Sequence, residues 1–260
     1  MISRRILALG FAAAVALSSC ASSQKRLAEQ REKDPQYQYE KAVVCMQYGM
    51  TDEAVKYLQA AVALDARHYL SLNLLGLAYL TKGDVPASIR SFESCLAANP
   101  TFSEAHNNLG TAYQQAGETA KAEAAFKRAY EIDQNYNASY NLAKIAYQAG
   151  QADLALEYVQ RSIQKYNKSL LAYNLLGLLL ETKERYDDAI LSYSRALELV
   201  PNEINVLYNL GVAYFKKGEL EKAKETLERA LAAIAKDPDP LKFTEVKARI
   251  QEALKRIVEK

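Results

Sequence analysis

Cysteine and histidine are the side chains best suited to nucleophilic or metal chemistry, and this 260-residue chain has three Cys and two His. Neither His68 nor His106 is followed by a metal-like partner at i+3 or i+4, and no HExxH, CxxC or glycine-rich phosphate loop occurs. The carboxylates lie mostly within a helical turn of Lys or Arg, as Glu219 and Glu221 do beside Lys222. That is the pattern of solvated helix faces rather than of a paired-carboxylate site. The expectation is a non-enzyme with no catalytic residue, no metal and no cofactor. Cys45 and Cys95 occupy what are shown below to be packing positions, so both are expected as buried thiols acting as small apolar side chains.

Cys20 is different, because its surroundings suit acylation of a thiolate. It follows Leu17, Ser18 and Ser19, and upstream lie Arg4, Arg5 and the twelve apolar residues 6–17. That run has the length of a signal-peptide core and falls short of the roughly 20 residues needed to span a bilayer. The segment resembles a bacterial lipobox. The resemblance implies that residues 1–19 are a lipoprotein signal peptide. It also implies a diacylglycerol on the Cys20 thiol and a further acyl chain (palmitate, for example) on its amine. At ~0.8 kcal/mol per buried CH₂, two or three chains anchor stably where one does not. By resemblance to enteric lipoproteins, Ala21 after the Cys directs the protein to the outer membrane, on its periplasmic face. Residues 20–34, small and charged after the Cys, then form a polar tether.

The elements that must carry any binding surface follow from composition and internal repetition. Half of the residues are hydrophobic and a quarter charged, with ten Gly and six Pro, the arithmetic of a folded globular chain. Lys and Arg number 33 against 31 Asp and Glu; without Arg4 and Arg5 the two balance. A neutral chain is a poor partner for nucleic acid.

From residue 35 a unit of 34 residues repeats six times, once with a residue less. Its eighth position is small: Ala42, Gly76, Gly110, Ala143, Gly177 and Gly211. Position 20 reads Ala54, Ser88, Ala122, Ala155, Ala189 and Ala223, and position 27 reads Ala61, Cys95, Ala129, Ser162, Ala196 and Ala230. Position 24 is bulky: Leu58, Phe92, Phe126, Val159, Tyr193 and Leu227. Small residues let two antiparallel helices approach, and the bulky ones fill the space between pairs. Gly49, Gly83, Gly117, Gly150 and Gly218 stand where the first helix of a repeat must end, whereas the fifth repeat has Thr182, Lys183, Glu184 and Arg185 there. A strained or altered turn is expected at that place.

This pattern resembles the tetratricopeptide repeat, a helix–turn–helix of 34 residues, over residues 35–237. The resemblance implies an all-α superhelix, an α-solenoid, of six repeats. After the break at Asp237–Pro240, an apolar stripe of Val246, Ile250, Ala253, Leu254, Ile257 and Val258 predicts a C-terminal capping helix within residues 238–260.

In repeats of this family the first helices line the inner groove through positions 2, 5, 6, 9, 12 and 13. Position 5 reads Tyr39, Asn73, Asn107, Tyr140, Asn174 and Tyr208; position 6 has Asn108, Asn141 and Asn209. Gln114, Gln115, Lys144, Tyr147 and Gln148 extend the polar strip, and Leu70, Leu77, Leu80, Leu171 and Leu178 form apolar edges. Asn carries a donor and an acceptor that match a peptide backbone, and Tyr adds a flat surface with a polar tip. The candidate peptide-groove residues are therefore Asn73, Asn107, Asn108, Tyr140, Asn141, Lys144, Asn174, Tyr208 and Asn209. The cationic cluster with which some relatives hold a C-terminal carboxylate is missing: Tyr39, Val43, Asn108, Asn137 and Asn141 stand there.

Signal, lipobox, tether and six repeats together resemble the outer-membrane lipoproteins of type IV pilus biogenesis, the PilF, PilW and Tgl group. That resemblance implies a non-catalytic pilotin whose partner is a secretin or another envelope-assembly protein, with the membrane reached only through lipid. The NlpI-type lipoproteins, adaptors for periplasmic peptidoglycan hydrolases or proteases, share the anchor and the repeat.

Overall fold

The structure, a computed structural model, describes residues 25–27 and 29–259. The proposed signal peptide and Cys20 lie outside the described residues. From Pro35 onward the described residues form thirteen α-helices and one 3₁₀ turn. They are α1 (Pro35–Gln47), α2 (Thr51–Leu64), α3 (Tyr69–Thr81), α4 (Val85–Ala98), α5 (Ser103–Gln115), α6 (Thr119–Asp133) and α7 (Tyr136–Gln148). There follow α8 (Ala152–Lys165), α9 (Leu170–Thr182), α10 (Tyr186–Leu199), α11 (Ile204–Lys217), α12 (Leu220–Lys236) and α13 (Thr244–Val258). Odd and even helices from α1 to α12 are the first and second helices of six repeats, the tetratricopeptide-repeat fold. The chain forms two compact units, one up to Ala122 and one from Glu123.

Each repeat closes around its small and large positions. All six residues at position 24 are fully buried. Within single repeats, a Cβ on Gly76 would meet three ring atoms of Phe92 at 2.5, 2.6 and 2.8 Å, and one on Gly211 would stand 2.6 Å from Leu227 Cγ. Gly177 is pressed against the ring of Tyr193 in the same way. Glycine is needed there to let the second helix approach, not for backbone freedom. Ser88, where the other repeats have Ala, places a buried hydroxyl with no hydrogen-bond partner among the described residues.

The turns after the first helices share one geometry. In the second repeat Gly83 takes φ +79°, and the amide of Asp84 donates to Tyr79 O at 2.9 Å, a six-to-one bond that satisfies a terminal carbonyl. The fifth repeat forms the same bond, Arg185 N to Leu180 O at 3.0 Å, with Glu184 at φ +58°. The expected irregularity is thus a strained residue inside an unchanged turn, because the bonding pattern fixes the conformation whichever side chain stands there.

Successive repeats are joined by recurring polar links. A Lys at position 14 reaches an Asp at position 18 of the preceding repeat three times: Lys82 to Asp52 at 2.5 Å, Lys183 to Asp153 at 2.7 Å and Lys217 to Asp187 at 2.5 Å. These pairs are solvent-exposed and hold register more than they add stability. Cys45 and Cys95 are buried free thiols, as their packing positions lead one to expect, and Cys95 Sγ lies 3.2 Å from Tyr69 O.

In the second unit, α13 lays Ile250 and Ile257 into the core formed with Leu227 and Ile234 of α12, and Val246, Ala253 and Leu254 are half-buried against it. Val258 was expected in the same stripe but is 80% exposed. It is the last helical residue, one position past Ile257, so its side chain turns away from the buried face.

Candidate peptide-binding surface

The proposed groove asparagines sit on first helices and bond to one another across repeats. In the first unit, Asn108 Nδ2 on α5 donates to Asn73 Oδ1 on α3 at 3.1 Å. Asn73 Nδ2 lies 3.5 Å from Glu104, and Asn107 Nδ2 lies 3.5 Å from Asn108 Oδ1, both long contacts. In the second unit, Asn209 Nδ2 on α11 donates to Asn174 Oδ1 on α9 at 2.9 Å. Position 6 of one repeat therefore bonds position 5 of the repeat before it in two places. Sequence pattern alone did not reveal this pairing; the 35-residue spacing of Asn73 from Asn108 and of Asn174 from Asn209 was the available signal.

The pairing changes what these amides can offer. Asn73 and Asn107 are buried, so both are placed among helices more than at an open surface. Asn108, Asn141, Asn174 and Asn209 are half-buried. The Asn174–Asn209 bond leaves Nδ2 of the first and Oδ1 of the second outside it, so one donor and one acceptor remain in a fixed orientation.

Tyr140 and Tyr208 are half-buried, and burial raises the ionisation of the Tyr140 hydroxyl above its ordinary value. Lys144 on α7 is half-buried and forms no ion pair among the described residues. Of the apolar edge positions, Leu171 is 56% exposed, and Leu70, Leu77, Leu80 and Leu178 are half-buried.

A polar triad that sequence reasoning missed joins the fifth and sixth repeats. Glu181, at position 12 of the fifth, accepts from the buried Tyr193 hydroxyl at 3.0 Å and from Lys216 Nζ at 2.6 Å. Its side chain is only 11% exposed. Burial first, and the Glu181 carboxylate second, push the Tyr193 hydroxyl far above its ordinary ionisation. The hydrogen bond to Glu181 raises Lys216. The repeat frame places both Glu181 and Lys216 at groove positions, which was the legible sign.

The histidines serve packing and local bonding: His68 Nδ1 is 2.7 Å from Ser71 Oγ and its ring meets that of Tyr39 edge-on at 5.8 Å, and His106 Nε2 is 3.0 Å from Pro100 O. Among the described residues no three His, Cys, Asp or Glu converge as metal ligands, and no helix is long and apolar enough to cross a membrane.

Residues 51–242 match the tetratricopeptide repeat protein 21 C-terminal ARM domain family. The chain belongs to that family. A curated relative, TPR repeat-containing protein MJ1428 of Methanocaldococcus jannaschii, is 26% identical over 72% of this chain and 36% of its own length. The chain thus spans about a third of that relative. Two solved structures share the fold. PilW, a type IV pilus biogenesis factor, superposes with a TM-score of 0.70 at 18% identity, over 80% of this chain and 97% of PilW. PilF of Pseudomonas aeruginosa gives 0.60 at 18% identity, over 73% and 88%. The repeat protein accordingly combines membership of that repeat family with a fold of tetratricopeptide type.

Proposed function

We propose that the repeat protein is a lipid-anchored, pilotin-like scaffold that supports secretin assembly at the outer membrane during type IV pilus biogenesis. The observation that carries this reading is the extent of the shared fold: nearly the whole of PilW is matched by the repeats of this chain. The N-terminal sequence adds the second support, since Leu17, Ser18, Ser19 and Cys20 provide a site for acylation behind an export signal. Binding needs no catalyst here. An anchor at Cys20 confines the repeats to a thin layer beside the membrane and raises their effective concentration toward an envelope partner. The first-helix faces carrying Tyr140, Lys144, Asn174 and Tyr208 are the working surface, with Asn108 and Asn209 holding neighbouring repeats in register.

The test is deletion of the gene, followed by assay of secretin multimers on gels and of surface pili. Loss of multimers, restored by the native gene and not by a Cys20→Ser form, is the expected result. Normal multimers and pili in the deletion strain overturn the pilotin role. For the surface itself, a Lys144→Glu, Gln148→Glu variant with an unchanged circular dichroism spectrum should lose capture of the purified secretin; undiminished capture removes this face as the contact.

A further inference from the structure

The capping helix does more than cover the last pair of helices. Its buried stripe, Ile250 and Ile257, faces the core, while Arg249, Ala253 and Arg256 recur at helical spacing on an adjoining face. That second face overhangs α11 and encloses with it a cavity of about 320 Å³. The side of the cavity supplied by α11 is Tyr208, Val212, Phe215 and Lys216, which are positions 5, 9, 12 and 13 of the sixth repeat. The end of the proposed binding surface is therefore a pocket with an apolar floor and a cationic rim.

We infer that this pocket takes an acidic segment of a partner polypeptide, an apolar side chain flanked by carboxylates. Three cations, Lys216, Arg249 and Arg256, line the cavity against one carboxylate, Glu252. Each cation is already paired, but in ways that leave it able to bind more. Arg256 engages Glu252 through Nε at 3.2 Å, and Arg249 engages Glu245 through Nη2. Both pairs are well exposed, so they are weak and exchangeable, and a guanidinium has five N–H donors in all. Lys216 is held by Glu181, which is in turn fixed by Tyr193, so its ammonium is pre-positioned at the pocket edge. Val212 and Phe215, half-buried on the floor, give an apolar side chain a place to leave water. A neutral or basic segment could use the floor and not the rim.

The inference rests on the reading of the first-helix face as the working surface, and the test separates the two. The probe is a fluorescein-labelled, C-terminally amidated peptide, Gly-Asp-Asp-Leu-Phe-Asp-Gly, beside its counterpart with Asn for each Asp, titrated against the whole protein by fluorescence anisotropy. The acidic peptide is expected to bind about tenfold or more tightly, with an affinity that falls as salt is raised. Arg249→Glu with Arg256→Glu should abolish that preference. Arg249→Gln with Arg256→Gln, which keeps helix propensity and removes only charge, should reduce it, and circular dichroism should report both variants folded. Equal binding of the two peptides, binding of neither, or a preference that survives the charge reversal overturns the pocket. If the pocket fails while the Lys144→Glu, Gln148→Glu variant still loses the secretin, the face stands and only its acidic-segment end is wrong. If that variant keeps the secretin, the face itself falls.

Discussion

Substituting Gly76 by Ala separates two opposing effects of known size. In an open helix interior, Gly→Ala stabilises by about 1 kcal/mol, because alanine leaves less backbone entropy to lose. At Gly76 the added Cβ would stand 2.5 to 2.8 Å from three atoms of the Phe92 ring, whereas carbon atoms rest at about 3.5–4.0 Å. The ring must retreat by roughly 1 Å to reach the near edge of that range. It has no exposed surface toward which to do so. Overpacking of this kind costs about 1–3 kcal/mol, and a rigid buried ring puts it near the top. The net expectation is a loss of about 2 kcal/mol, or about 4–8 °C in melting temperature for a chain of this size. Urea denaturation followed by circular dichroism, with the slopes compared because repeat arrays can unfold in stages, measures it. The decisive step is the same substitution in a Phe92→Val background, which reproduces the buried Ala143 and Val159 pair of the fourth repeat. There the ring is gone and Gly76→Ala should become neutral or stabilising, giving a coupling of about 2–3 kcal/mol. A Gly76→Ala protein as stable as the parent, or a coupling near zero, would refute the argument that glycine is there for contact rather than by chance.

Four further outcomes follow from the same structure. Ser88→Ala removes a buried hydroxyl that has no partner among the described residues and should stabilise by about 1 kcal/mol in the same denaturation experiment. Glu184→Gly, at φ +58°, should relieve left-handed strain and stabilise by about 0.5–1 kcal/mol, while a β-branched Val there should do the opposite. The native ionisations of Tyr193 and Lys216 lie above their ordinary values of 10.0 and 10.5. Their contribution to stability is therefore full below about pH 10 and declines as alkali titrates the unfolded chain first. Tyr193→Phe should lose about 1 kcal/mol at neutral pH and show a shallower decline above pH 10 in pH-jump denaturation. Burial pushes the Cys95 thiol up to about 12, so iodoacetamide should label it in urea and not in the native protein, whereas native labelling contradicts the burial.

The repeat architecture was legible because its signals are local and recur in phase. Positions 8, 20, 24 and 27 each state a size requirement that a neighbouring helix enforces, and Gly76 against Phe92 is that requirement in atoms. The glycine-free turn at Glu184 was legible for the same reason, since five sister turns defined what had to form. The surface was harder to read. That Asn108 would bond Asn73 depends on how two helices from different repeats are rotated about their axes, which residue type does not encode. The second face of α13 was missed because Ile250 and Ile257 account for the helix once capping is assumed; the i, i+4, i+7 run of Arg249, Ala253 and Arg256 was present and pointed elsewhere.

The recurring joints bear on how such a chain changes length over generations. The glycine–aromatic contacts are complete within a single repeat, whereas the lysine–aspartate and asparagine links connect the second, third, fifth and sixth repeats each to the one before it. The sixth repeat carries the lysine and asparagine that meet the aspartate and asparagine of the fifth. Tandem duplication of that pair in the gene would join a fifth repeat onto a sixth, and only that one seam would need new contacts. Growth or loss by whole pairs is thus the route of least disruption, and a frame slip of a single residue the most damaging.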